Sequence, residues 1–373
     1  MPTEAEALAW LSAWDQQGTH RTATTGDEAG ADWLAGEAAA LGAEVGIETF
    51  PMHRLDPVTA EVSFEGTTLA GVPMFDAPDG DIAGICGPLG GATPVGVGPI
   101  SPLAVYSEAF RAMRRESPHQ ALVLATGGGA PGLALLNAEG FNAPYGPPIL
   151  LLASEHASQL DAAAARGAAM RVSLRAARTP AAARNVVATV VGSDRTRPPL
   201  VIMTPRSSWW TSTSERGGGL VCWLACLRTV LENRPGCDVV FTANSGHELG
   251  HTGLDAFLAA RPGWETQASW LHWGANIGAA GGTTAVMSGH DDLRQAMATA
   301  LSAEGQAHAV TSGEVVPNGE SRDIHRAGGH YITLVGTNPL FHLPQDRLPH
   351  AIDLPAVTRC AKATARVAIQ LSR

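Results

Sequence analysis

Charge is scarce in this chain. Charged residues fill 16% of its 373 positions, the formal net charge is −10, and the basic residues are almost all arginine with no basic run. Phosphate contacts need a concentrated Lys/Arg footprint, so nucleic acid is not an expected partner. Long apolar runs are lacking as well. Nothing approaches the ~18 consecutive apolar residues of a membrane span, and residues 1–18 carry acids where a signal peptide carries positive charge. Cysteine is sparse and odd in number, with Cys86, Cys222, Cys226, Cys237 and Cys360 scattered along the chain. Cys222 and Cys226 share one face of an apolar helical stretch, where small buried thiols are the ordinary reading. A reducing, cytoplasmic setting is expected. No G-x-S-x-G elbow occurs, and no P-loop, dinucleotide fingerprint, heptad or internal repeat stands out.

What is present describes a compact, turn-rich protein: 45% hydrophobic residues, with Gly 42 and Pro 25. This length suits two domains or one large α/β body with an insertion. Helical periodicity over 4–15 and 28–42 predicts N-terminal helices packing on a core, within residues 1–55. Short strands over 46–74, a Gly/Pro-rich span, and strands near 120–126, 147–153 and 169–176 predict a small mixed α/β unit over 56–178. A linker, ARTPAAAR at 177–184, leads to a second α/β regime over 179–373. There, apolar strands alternate with helices at 220–233, 252–261, 291–303 and 354–371. Such alternation predicts a three-layer sandwich around a mostly parallel mixed sheet, with sites in the loops at the carboxyl ends of its strands.

One such loop holds HELGH, His247 to His251, a literal H-E-x-x-H string. In a zinc protease that string lies on a continuous helix, which sets two histidines one turn apart. Here it follows an apolar strand, contains Gly250 and is flanked by Gly246 and Gly253, so loop context is expected and no helical zinc pair. His251 is read as structural or as supporting a neighbour.

The stretches VIMTPRSSWW (201–210), SERGGG (214–219), FTANSGHELGHTG (241–253), WGANIG (273–278) and FHLPQD (341–346) together resemble the M28 family of zinc aminopeptidases. The α/β core of that family also houses glutaminyl cyclases. The resemblance covers the core and the N-terminal helices, and it implies that 56–178 is an inserted protease-associated-like domain. It also implies a site that departs from the family pattern. Arg206 and Ser208 stand at the H-x-D positions, and Ala275 and Asn276 at a later Asp, so the first metal position is lost. Glu215 falls on or near the bridging carboxylate, Glu248 on the second Glu of the pair, and His342 on the last His. These three are candidate ligands for one Zn²⁺ with a position left for water. His247 replaces the Glu that carries protons, a task imidazole can perform.

Arg206 would bind an oxyanion or carboxylate, or neutralise Glu215 and Glu248. A metal-free site of Arg206, Glu215, His247 and Glu248 is the rival reading. Trp209 and Trp210 are candidate aromatic walls, and Asp323, His325 and His330 candidate substrate contacts. Their plain alternatives are interdomain packing and loop ion pairs. Ser207, Ser208 and Ser214 lie near enough in sequence to allow a serine nucleophile with His247. The expected activity is hydrolysis of an amide, peptide or related small molecule, possible as a homo-oligomer. The alternatives are a metal-free enzyme of another type or a noncatalytic binding protein.

Overall fold

The computed structural model describes residues 1–373. Two long strands organise it. Glu44–Phe64 and Ala169–Val190 pair antiparallel from Glu44 opposite Thr189 to Phe64 opposite Met170, with a register shift between Pro57 and Thr59. The stretch 177–184, expected as a linker, is therefore continuous strand, and much of the short-strand pattern over 46–74 is one long strand. Between the segments that pair with other strands, residues 175–184 pair only with the first long strand. This two-stranded ribbon has free edges, where prolines such as Pro51 and Pro180 are tolerated.

One end of the ribbon feeds the main sheet. Residues 186–190 pair antiparallel with Val239–Asn244. Leu200–Pro205, Ser269–Trp273 and His330–Gly336 follow in parallel, and Thr284–Met287 adds antiparallel beyond them. Alternate residues sort to opposite faces of these strands. Val186, Ala188, Ile202, Phe241, Leu271 and Trp273 join a buried cluster with helices Glu4–Gln16, Thr25–Ala40, Thr213–Asn233 and Leu354–Ser372. Their neighbours Val187, Val201, Met203, Val240 and Trp270 pack instead with Leu254, Phe257 and Ile324 from helices Thr252–Ala259 and Ser321–Arg326. Each such side chain contributes roughly 1.5–3 kcal/mol by leaving water. The result is the expected α/β arrangement of a mixed sheet between helices.

At the other end of the ribbon, residues 169–174 pair with Gly80–Pro88, and Val95–Ile100, Ala121–Thr126 and Ile149–Ala153 follow in parallel. One apolar cluster of this region also takes in Trp209 and Leu249, from loops of the main sheet. No helix is long and apolar enough to cross a membrane.

The helix expected from 220 begins at Thr213, so Glu215, Arg216 and three consecutive glycines lie in its first turns. Apolar periodicity starts only at Leu220, which hides the earlier turns. The glycines are there because the helix presses on its neighbours. A Cβ at Gly218 would lie 1.9 Å from the Ile277 carbonyl oxygen, and one at Gly219 would lie 2.6 Å from Thr204 Oγ1.

Candidate functional site

The loops that follow the parallel strands bring together Arg206–Ser208, Ser245–His251 and Gly274–Asn276. HELGH is a loop, as its glycines require. His247–Leu249 make a single 3₁₀ turn between Gly246 and Gly250, both left-handed, and His251 is left-handed too with φ 64°. No continuous helix aligns the two histidines. Their rings still come within 4.9 Å between centroids, but their polar partners differ. His251 Nδ1 contacts Asp323 Oδ2 at 2.5 Å, while His247 Nδ1 lies 3.5 Å from Glu320 Oε1.

The residues expected to hold zinc are each engaged by protein groups. Glu248 accepts the Thr22 N–H at 2.8 Å, the Thr22 hydroxyl at 2.6 Å and the Ser207 hydroxyl at 2.6 Å. Glu215 does meet His342, whose Nε2 is 3.3 Å from Glu215 Oε1, but the Arg216 guanidinium lies 2.9 Å from the same oxygen. The other Glu215 oxygen accepts the Ser212 hydroxyl. Burial alone would raise the Glu215 pKa; Arg216, His342 and Ser212 hold it at about 2 instead. Nothing joins Glu248 to the Glu215–His342 pair, and no group of three or more His, Cys, Asp or Glu is arranged to hold an ion. The donor set therefore does not fit a zinc: one carboxylate already takes three hydrogen bonds and the other faces a fixed cation.

Arg206 is also committed. Fully buried, it pairs with Asp27 at 2.9 Å and donates to the Arg184 carbonyl at 2.7 Å, and it contacts neither Glu215 nor Glu248. The cation beside Glu215 is Arg216, whose Nε also donates to the Ser207 carbonyl. Sequence comparison passed over Arg216 because it adjoins a position that only roughly matched the family. The serines are likewise engaged elsewhere. Ser207 donates to Glu248, Ser208 to the Trp210 carbonyl and Ser214 to Asp346, and none of them donates to His247.

A cavity of about 220 Å³ opens beside His247. His272, Asn276, Asn318 and Asn338 supply polar wall, while Tyr106, Val335 and Phe341 supply apolar wall. None of Trp209, Trp210, Asp323, His325 and His330 lines it. Trp209 packs edge-on against Phe75 and donates to Asn137. Trp210 donates to the His342 carbonyl, and Asp323 holds His251. His325 contacts the Tyr331 hydroxyl, and His330 contacts Ser269.

His272 and Glu320 are the polar groups that sequence reading missed. His272 sits inside an apolar strand and Glu320 just before a short helix, and neither belongs to a recognisable motif. A polar residue breaking the apolar run WLHW was the available signal for His272. Burial drives the His272 pKa down to about 3, with charges from His251 and Arg216 adding to the effect. Burial also depresses His247 well below its ordinary value, again with help from Arg216. Glu320 moves the opposite way. Its burial raises it to about 7, although Asn244 donates to its Oε2 at 2.8 Å. Asn244 is in turn fixed by the Thr242 hydroxyl at 2.6 Å. The chain Thr242–Asn244–Glu320 thus backs His247, whose Nε2 has no hydrogen-bond partner in the protein.

No protein-family model and no curated protein matches the sequence. Solved structures do match. The chain is similar to BSAP, a zinc aminopeptidase from Bacillus subtilis, with 15% identity, TM-score 0.76, and 98% of this chain and 94% of that chain covered. It is similar to an aminopeptidase from Aneurinibacillus sp. strain AM-1, with 13% identity, TM-score 0.71, and 98% and 93% covered. It is also similar to a peptidase M28 precursor from Shewanella amazonensis SB2B, with 13% identity, TM-score 0.72, and 99% and 96% covered. The fold is that of the M28-like aminopeptidases. At such identities the likeness concerns the fold, and the activity must be argued from the site.

Proposed function

We propose that the protein hydrolyses an amide, a short peptide or a related small molecule in the His247 cavity, using side chains and not a zinc held by Glu215, Glu248 and His342. The observation that carries this reading is the His247–Glu320 pair: a buried imidazole on a cavity wall, with one nitrogen facing a carboxylate and the other without a protein partner. With Glu320 ionised, the imidazole proton sits on Nδ1 and Nε2 presents its lone pair to a water beside the bound carbonyl. His247 takes the water proton as the C–O bond forms and returns it to the leaving nitrogen as the C–N bond breaks. Glu320 stabilises the imidazolium between those steps. Apo contacts of this kind are often long and tighten with substrate.

The peptidase fold supports an amide bond as the target. Leu103 and Tyr106, from within 56–178, wall the cavity. This supports reading that region as an inserted unit that limits the substrate to a small molecule or short peptide, between an N-terminal segment over 1–55, which carries two helices and the start of the first long strand, and a core over 179–373. Buried free thiols at all five cysteines agree with a cytoplasmic setting.

The test is a panel of dipeptides and N-acyl amides assayed with and without chelator. Hydrolysis should survive chelation and fall by at least ~10²-fold in His247→Ala. Loss of activity on chelation with recovery on adding Zn²⁺ would assign the reaction to a metal. Full activity in His247→Ala would remove the proton carrier. A noncatalytic binding role is favoured by one observation, the complete engagement of Glu248 by Thr22 and Ser207, and binding without turnover across the panel would establish it.

A further inference from the structure

Among the residues lining the His247 cavity, His272 and Asn276 each carry a buried polar atom with neither a hydrogen bond nor a facing charge, and both atoms are acceptors. Asn276 lies in the loop after the Ser269–Trp273 strand, left-handed with φ 66°. Its Nδ2 donates to the Gly336 carbonyl at 3.3 Å, which fixes the amide orientation and leaves Oδ1 buried without a hydrogen bond. His272 is fully buried, and its Nδ1 lies 3.4 Å from Thr333 Oγ1. The Thr333 hydroxyl donates to Ser321, so it can only accept from His272. That places the imidazole proton on Nδ1 and leaves Nε2 as an acceptor with no partner. The Cε1–Nε2 edge of His272 faces Gly319, which shares the cavity wall: a Cβ there would lie 3.0 Å from Cε1 and 3.6 Å from Nε2.

No Asp, Glu, Lys or Arg lines the cavity. A ligand with an ammonium group would find no carboxylate to pair with, and a carboxylate ligand would find no guanidinium or ammonium on the wall. Burying an unpaired charge costs far more than burying a hydrogen-bonded neutral group. At about 220 Å³ the space is also below the ~300 Å³ at which pockets for drug-sized ligands begin.

We infer that the cavity binds a small uncharged amide that donates N–H groups to Asn276 Oδ1 and His272 Nε2, and that it discriminates against ligands carrying a free ammonium or a free carboxylate. The inference rests on the hydrolase reading for the choice of an amide. It sharpens that reading, because a substrate with a free amino terminus is disfavoured and one with a blocked or amidic terminus is preferred.

Three probes of one skeleton test it: N-acetylglycinamide, glycinamide and N-acetylglycine, at about pH 6, where the amine is protonated and the acid ionised. Binding is read by ligand-observed saturation-transfer NMR on the full chain, so turnover is not needed. N-acetylglycinamide should bind at least about tenfold tighter than either charged probe. In Asn276→Asp, which keeps a residue type that tolerates the left-handed backbone, the preference should move toward glycinamide. His272→Phe, with its fold checked by circular dichroism, should weaken N-acetylglycinamide without favouring a charged probe. Equal or tighter binding of either charged probe by the unsubstituted protein would overturn the inference. So would absence of binding by all three, which would leave the cavity to solvent. If neutral preference is found but no amide in the larger panel is hydrolysed, the catalytic reading fails and the ligand assignment stands.

Discussion

Two neighbouring groups of buried polar residues at the carboxyl end of one sheet differ in how their charges are met. In the first, Arg206 is held by Asp27, Glu248 by Thr22 and Ser207, and Glu215 by Arg216 and His342. Each of those charges faces a counter-charge or takes hydrogen bonds, although Asp27 Oδ1, Arg206 Nε, Glu215 Oε1 and the terminal Arg216 nitrogens make no hydrogen bond of their own. In the second, around the cavity, His247 Nδ1, His272 Nε2, Asn276 Oδ1 and Glu320 Oε1 all lack hydrogen bonds. Saturated groups hold structure, because a satisfied buried network rigidifies its surroundings. His247 Nδ1 and Glu320 Oε1 face each other at 3.5 Å, whereas His272 Nε2 and Asn276 Oδ1 face no counter-charge and belong to residues that line the cavity. The positions that most resemble metal-peptidase ligands belong to the first group, whereas the cavity borders the second.

Substitutions in the two groups should separate stability from activity. The largest effect is expected from Arg206→Ala, which strands Asp27 in the interior. Losing one partner of a buried ion pair costs about 3–5 kcal/mol, so denaturant unfolding should show a loss of that size. A stability change under about 1 kcal/mol would mean Asp27 is satisfied without Arg206. His247→Ala should do the reverse, leaving the unfolding midpoint nearly unchanged while lowering kcat by ~10²-fold or more. A smaller structural loss, roughly 1–3 kcal/mol, is expected for Glu248→Leu, since it abandons the Thr22 and Ser207 donors.

Glu320→Gln probes the boundary through pH. The general-base form of His247 needs ionised Glu320, so activity should rise as pH rises through about 7, and the variant should lose that step. Stability carries the opposite sign. The folded pKa of Glu320 is raised from 4.5 to about 7. Its contribution is therefore full below 4.5 and is lost as pH rises through about 7, because the buried carboxylate must then ionise. Relative to the parent, Glu320→Gln should become more stable over that window. A stability difference that does not change with pH would show that Glu320 titrates as an ordinary exposed acid. The smallest effect is expected from adding or chelating Zn²⁺, which should leave the unfolding midpoint unchanged. A rise in midpoint with Zn²⁺ would mean that Arg216 gives way to a metal.

Particular residues show how far the sequence could be read. Gly246, Gly250 and Gly253 made the HELGH loop legible, because three glycines around five residues defeat a helix before any contact is known. Apolar alternation marked the main sheet for the same local reason. The helix start at Thr213 was hidden, since Gly217–Gly219 are chosen for contact with Leu11, Ile277 and Thr204, partners distant in the chain. The stretch 177–184 looked like a linker because Pro180 and its alanines carry no strand pattern; pairing with 44–64 made it strand. Asp27 is far from Arg206 in sequence, Thr22 far from Glu248, and Glu320 far from His247, so no spacing announces those pairs.

The sequence by itself determined the fold class and the loop character of HELGH at a strand end, both of which follow from periodicity and turn chemistry. Which charges neutralise each other was decided only by the tertiary structure. That pairing depends on distances of a few ångströms between residues from different loops, and in a water-poor interior those distances decide whether a carboxylate binds a cation, accepts hydrogen bonds or keeps a proton.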